Sequence, residues 1–212
     1  MFCGVDEAGK GAVLGPMVIA AVSVSDPSVL EGHDIRDSKL LSPRRREIIF
    51  DALTSSYSYH VVSILPSDID AALPDININR LIAEANAACI TALSSEVAYL
   101  DACDVNAGRF GENVSRLIPF SCTVIAEHQA DRSHPIVGAA SIIAKVIRDR
   151  AIETLKEEYG EIGSGYPSDT TTIRFLTDYI RDNHIPPPCA RRSWKTVSSL
   201  LFRQNQSSLS DF

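Results

Sequence analysis

Four carboxylates stand where apolar runs end. Asp6-Glu7 directly follow Phe2-Cys3-Gly4-Val5, and Asp101 follows Val97-Ala98-Tyr99-Leu100. Asp131 comes five residues after a third run, which ends at Ala126. Gathering acids at one sheet edge is costly, because like charges raise each other's pKa; a divalent cation removes that cost. Carboxylate oxygens are hard donors, suited to Mg²⁺ or Mn²⁺ rather than to softer metals. Two such ions, about 4 Å apart, can hold the attacking water and the leaving oxygen of a phosphodiester. Taken singly, each acid reads as a solvated strand end, and composition by itself does not bring the four together. Asp104 is a rival to Asp101, with a surface or loop-capping role as its plainer reading.

A second motif overlaps the first acids. Gly4-Val5-Asp6-Glu7-Ala8-Gly9-Lys10-Gly11 nearly fits the phosphate-loop pattern of nucleotide hydrolases. Gly11 stands where that loop needs a hydroxyl for Mg²⁺. Two carboxylates inside the loop would also repel the phosphates that its amides should cradle. A P-loop NTPase is therefore a poor second reading.

The elements that must position these residues read as an α/β fold. Phe2–Val5, Met17–Val24 and Ser58–Leu65 read as strands, with a glycine-rich turn over Gly9–Gly15. Ser42-Pro43 starts a helix to about Leu53. Ile78, Leu81, Ile82, Ala85, Ala88, Cys89 and Ala92 form a helical stripe. Val97–Leu100 and Thr123–Ala126 read as short buried strands. A long helix is expected from about Val137 to Tyr159, closed by Gly160, with Ala140, Ile143, Ala144, Ile147, Ala151 and Leu155 inward. Two helices follow, near Ser168–Asp182 and Ser193–Arg203. Strands first, then strands alternating with helices, predict a sheet with helices added at the C-terminal end.

The 212 residues are 45% hydrophobic and 22% charged, ordinary for one globular domain with a small appendage. No apolar run reaches the roughly 18 residues of a membrane span, and no signal peptide is evident. Five scattered cysteines without a Cys-x-x-Cys pair predict free thiols in a reducing cytoplasm and no zinc site. The net charge of -7 argues against a nucleic-acid partner when taken alone. Two local basic patches remain, Arg44-Arg45-Arg46 and Arg191-Arg192 with Lys195, each read as a solvated surface run.

Jointly, five blocks are specific. Asp6-Glu7-Ala8-Gly9-Lys10-Gly11 with Gly15-Pro16, then Asp37-Ser38-Lys39, then Tyr99-Leu100-Asp101-Ala102 resemble the successive signatures of ribonuclease HII. Ala130-Asp131 through Ala139-Ala140-Ser141-Ile142-Ile143-Ala144-Lys145-Val146, and Gly165-Tyr166-Pro167-Ser168-Asp169, complete the series in family order. The direct start at the first acidic strand is more like the archaeal branch.

This resemblance implies a ribonuclease H-like mixed five-stranded sheet flanked by helices, with a helical C-terminal extension. It implies a catalytic domain over 1–170, a helical region over 171–203 and a flexible tail over 204–212. It makes Asp6, Glu7, Asp101 and Asp131 the catalytic metal ligands for two Mg²⁺ or Mn²⁺ ions. The Gly9-Lys10-Gly11 backbone would read the ribose 2′-hydroxyl, where only a chain without Cβ approaches a sugar so closely. Tyr166 would sit against the sugar at the RNA–DNA junction. Lys39, Ser141 and Lys145 would face phosphates, the last two sharing an i, i+4 helix face opposite the core stripe. His128 and His134 read as surface residues or supports for the acids.

The implied activity is endonucleolytic cutting of RNA–DNA hybrids, and of duplex DNA on the 5′ side of embedded ribonucleotides, by a cytoplasmic monomer. A DNA-directed nuclease of the same fold, such as a junction resolvase, would not need the 2′-hydroxyl reader. A non-catalytic nucleic-acid-binding module would not need all four acids. Finally, Gln206, Leu209 and Phe212 resemble the Q-x-x-L-x-x-F pattern of sliding-clamp ligands. In a 3₁₀ turn, residues three apart stack and can enter one apolar pocket.

Overall fold

The computed structural model describes residues 1–30, 35 and 41–210, with backbone alone at 205 and 207–210. Lys39, Phe212 and the side chain of Leu209 therefore lie outside the described residues. In chain order the strands are β1 (Phe2–Ala8), β2 (Met17–Val24), β3 (Ser58–Ile64), β4 (Val97–Asp101) and β5 (Thr123–Glu127). The helices are α1 (Pro43–Ser56), α2 (Pro66–Ala72), α3 (Ile78–Leu93), α4 (Ala107–Ser115), α5 (Ala130–Ser133), α6 (Pro135–Tyr159), α7 (Thr170–Asn183) and α8 (Lys195–Ser210).

Local chemistry sets the helix ends as the sequence predicts. The Ser42 hydroxyl accepts from Arg45 N–H at the start of α1, with Pro43 in the first turn. Gly160 ends α6 at φ 76°, donating its N–H to the Lys156 carbonyl at 2.9 Å. The sequence pattern does not announce the short helices α2, α4 and α5. They hold four to nine residues, too few for periodicity to declare them.

The strands form one mixed sheet in the order β3-β2-β1-β4-β5. β1 pairs antiparallel with β2 and parallel with β4, and β4 pairs parallel with β5. β2 is buried along its whole length. The expectation of a buried strand at Thr123–Ala126 needs correction: β5 is a half-exposed edge strand, with one neighbour instead of two.

Two compact units emerge in space. One comprises Met1–Ala8, Val18–Ser63 and Ile76–Ile147; the other comprises Gly9–Met17, Ile64–Asp75 and Arg148–Phe212. This partition cuts across the sequential divisions at 170 and 203. In the first unit, Val18, Ala20 and Val22 of β2 share a core with Ile136, Val137, Ala140, Ile143 and Ala144 of α6. In the second, Val13, Leu14, Ile152, Ile162, Leu176 and Val197 form the core. α8 continues as helix to Ser210, past the expected end at Arg203. All five cysteines are free thiols, and burial pushes Cys3 up to about 12. No helix among the described residues is long and apolar enough to cross a membrane.

Candidate active site

Asp6 and Asp101 stand at the same level on adjacent parallel strands, because Val5 pairs with Leu100 and each acid follows next. Asp101 ends β4, whereas β1 runs on past the expected end at Val5 through Asp6 and Glu7 to Ala8, still paired with β2. Strands lie about 4.8 Å apart, so this register alone makes the two acids neighbours. Side chains alternate along a strand, so Asp6 shares the face of Gly4. A Cβ on Gly4 would lie 2.3 Å from the Ile136 backbone. Glycine thus lets α6 lie directly on β1. Two residues on from Gly4 is roughly 6.6 Å of strand, and the step from Ile136–Val137 to Ser141 is about 6–7.5 Å of helix. Ser141 consequently meets Asp6 and hydrogen-bonds its carboxyl.

Asp6 is 6% exposed. Burial pushes its carboxyl up to about 7. Asp101 pushes in the same direction, against the hydrogen bonds from Ser141 and the Glu7 backbone and the charge of Lys145. Glu7 N–H reaches Asp6 Oδ1 at 2.7 Å. Lys145 Nζ donates to Ser141 Oγ at 2.8 Å. This corrects the reading of Ser141 and Lys145 as an outward polar face: Ser141 is fully buried and Lys145 partly so. The α6 segment from Ile136 to Ala144 is buried on every side, so it has no outward face there.

Asp131 is buried in the short helix α5. The preceding amide, Ala130 N–H, donates to Asp101 Oδ1 at 3.1 Å, which ties α5 to the end of β4. His134 closes α5: its Nε2 lies 2.9 Å from Glu127 Oε2, and its ring lies 4.6 Å from that of Tyr99. His128 Nε2 lies 3.2 Å from the Val105 carbonyl. Asp104 takes the capping role: it accepts from Asn106 N–H at 3.0 Å, from Asn79 and from Arg109. Among the described residues, no three His, Cys, Asp or Glu side chains are grouped closely enough to hold a metal ion as they stand. Of the four acids, Asp6 and Asp101 are demonstrably paired.

Gly9, Lys10, Gly11 and Tyr166 belong to the second unit. Gly9 adopts φ 83°, a conformation that favours glycine. Val13 and Leu14 N–H both donate to the Gly165 carbonyl, at 2.8 and 3.1 Å. The turn and the Gly165-Tyr166 segment are therefore one backbone network. Arg191 holds it from beneath. Its Nη1 donates to the Lys10 carbonyl at 3.0 Å, while Nε and Nη2 fork onto the Gly15 carbonyl at 3.2 and 3.1 Å. Burial, and then the charge of neighbouring Arg148, lower its pKa to about 10.

Arg191 overturns the surface reading of the second basic patch, since it is 0% exposed. Asp70 supports its segment by accepting from Arg192 N–H at 2.8 Å and Ser193 N–H at 3.0 Å. Nothing in a run of charged residues marks one of them as buried, because its partners are carbonyls more than 170 positions away. Arg44 and Arg45 of the first patch are exposed, as expected.

A mixed sheet with level acids on its adjacent parallel strands, backed by a long helix, defines a nuclease of the ribonuclease H-like class. The ribonuclease HII family model matches residues 3–197. A ribonuclease HII from Methanocorpusculum labreanum is 57% identical over 210 residues, 99% of this chain and 98% of that protein. The ribonuclease H2 structure from Pyrococcus horikoshii OT3 superposes with a TM-score of 0.90 at 39% identity, covering 97% of this chain and 99% of that one. The structure of a PCNA:RNase HII complex from Archaeoglobus fulgidus gives 0.87 at 41% identity, covering 92% of this chain and 95% of that chain. The chain belongs to the ribonuclease HII family and is a ribonuclease acting on the RNA of RNA–DNA hybrids.

Proposed function

We propose that this enzyme cuts on the 5′ side of ribonucleotides, in hybrids and singly within duplex DNA, leaving 3′-hydroxyl and 5′-phosphate ends. The observation that carries the reading is the Asp6 carboxyl, set level with Asp101 on the neighbouring strand and pushed up first by burial and then by the Asp101 charge. An acid so placed gains from a cation. The donor set fits hard divalent ions and does not fit zinc, which favours thiolate and imidazole. Asp6, Glu7, Asp101 and Asp131 would hold Mg²⁺ or Mn²⁺. When bound, two such ions supply positive charge for the attacking water and the leaving oxygen.

The chain's own residues do the rest. Ser141, with Lys145 behind it, holds the Asp6 carboxyl in one orientation; Ser141 is buried in this role, and the partly exposed Lys145 also faces phosphate. The Gly9-Lys10-Gly11 backbone and the Tyr166 hydroxyl read the ribose, and Lys39 faces phosphate. Residues 1–170 carry catalysis, 171–203 support it, and 204–212 dock on a sliding clamp through Gln206, Leu209 and Phe212. The Archaeoglobus fulgidus relative solved in complex with PCNA supports clamp binding as such. The enzyme works as a cytoplasmic monomer, removing misincorporated ribonucleotides and replication primers.

The test is cleavage of three labelled duplexes: a hybrid, a DNA duplex with one ribonucleotide, and an all-DNA control. Each is run with Mg²⁺, with Mn²⁺ and with chelator. Cutting 5′ of the ribonucleotide in the first two alone, abolished by chelator, is the expected result. Cutting of all-DNA would replace this reading by a DNA-directed nuclease.

A further inference from the structure

Arg148 lies on the apolar stripe of α6, one turn beyond Ala144 and one before Ile152, and is 4% exposed. A buried guanidinium on a core stripe calls for a partner. Yet it makes no salt bridge among the described residues, and its Nε–H finds no acceptor there. Leaving a buried donor unmet is costly, and is tolerated where something else requires the side chain.

Its surroundings show what requires it. The guanidinium carbon lies 4.4 Å from the centre of the Tyr166 ring, within cation–π range. Nη2 donates to the Ser164 carbonyl at 3.0 Å, two residues before that ring. On its other side the same group lies against bare glycine backbone. A Cβ on Gly9 would fall 2.6 Å from Nε, and one on Gly165 would fall 3.1 Å from Nη2. Both positions are left-handed, at φ 83° and 80°. One planar, rigid group thus touches the first residue of the Gly9-Lys10-Gly11 turn and the Tyr166 ring together. Backbone hydrogen bonds to the Gly165 carbonyl join the two main-chain segments, but they do not set the angle of the ring. Arg148 does.

We infer that Arg148 is a positioning residue that locks the Tyr166 ring against the Gly9–Gly11 turn, so that the two read one ribose as a single rigid unit. This rests on the ribose-reading role proposed above for those residues. Charge alone cannot serve: a lysine lacks the plane that stacks on the ring and the fork that reaches Ser164.

The test has two arms, both on the full-length protein. The first measures amide hydrogen exchange and needs no activity. Arg148→Lys and Arg148→Met should each speed exchange of the Val13, Leu14 and Gly15 amides, on the order of tenfold, while amides of α3 stay unchanged. Tyr166→Ala should speed the same amides, yet add nothing in the Arg148→Met background. The second arm compares kcat/KM on one embedded ribonucleotide with that on a long hybrid. Both Arg148 variants should lose about tenfold more on the embedded ribonucleotide. A merely structural arginine would lower both substrates alike. Unchanged exchange, independent effects of Arg148 and Tyr166, or equal loss on the two substrates would each overturn the inference. A wild-type protein that cleaves neither substrate overturns the ribose-reading proposal instead, and the exchange arm still decides whether Arg148 joins the two segments.

Discussion

Ser141 Oγ stands between two charges: it accepts from Lys145 Nζ at 2.8 Å and hydrogen-bonds the buried carboxyl of Asp6. The pair lies one turn apart on α6, so helix geometry alone delivers a hydroxyl and an ammonium in series to one acid. Ser141→Ala removes the contact that most favours the ionised form of Asp6. The expected outcome is cleavage about tenfold slower at neutral pH, with the acid limb of the pH–rate profile moved to higher pH. An unmoved limb would show that Ser141 only fills space.

The metal-free protein should lose stability as pH rises from about 4 to 7. Asp6 has a folded pKa of about 7, above its ordinary value of 3.8. The protonated carboxyl therefore favours folding below pH 4, and the advantage drains away through pH 7, on the order of 4 kcal/mol in all. Thermal melts in chelator should show this fall for the wild type and not for Asp6→Asn. Mg²⁺ or Mn²⁺ should raise Tm more at pH 7.5 than at pH 5. Parallel pH profiles for wild type and variant would refute the assignment.

Asp101→Asn should abolish cleavage, by at least about a thousandfold, while leaving hybrid binding largely intact. Burial still pushes Asp6 up, but the added push of the Asp101 charge is gone, so the metal-free Tm at pH 7 should rise or hold. Wild-type cleavage by this variant would remove Asp101 from the site.

Gly4→Ala tests the approach of helix to strand. Its Cβ would meet the Ile136 backbone at 2.3 Å, and backbone cannot turn aside as a side chain can. A loss of about 3 kcal/mol in urea unfolding is expected, with cleavage impaired because Ser141 is carried away from Asp6. A neutral substitution would show that α6 lies farther off.

Deleting residues 206–212 should remove binding to a cognate sliding clamp and leave cleavage of a short free hybrid unchanged. Calorimetric titration checks the first part and a gel assay the second. Binding that survives the deletion would place the clamp contact elsewhere.

Much of this enzyme is written in short-range pattern. Apolar runs ended by Asp6, Glu7 and Asp101 are local, and so are the Ser42 and Gly160 helix ends and the spaced blocks that carry the family resemblance. The strand order, the parallel register of Val5 on Leu100, and therefore the Asp6–Asp101 pairing are not local, since strands 95 residues apart must first meet. Ser141 illustrates the limit from one side. Its spacing to Lys145 is plain in the sequence, but an i, i+4 pair defines a face without saying whether water or Asp6 lies opposite it. Arg148 and Arg191 illustrate it from the other. Arginine is seldom buried, and each is held by ring faces and carbonyls that leave no signature of residue type. Sequence alone determined the chemistry available here. Tertiary structure decided which acid is desolvated and which arginines are interior, because burial and charge coupling depend on distances that only the folded chain sets.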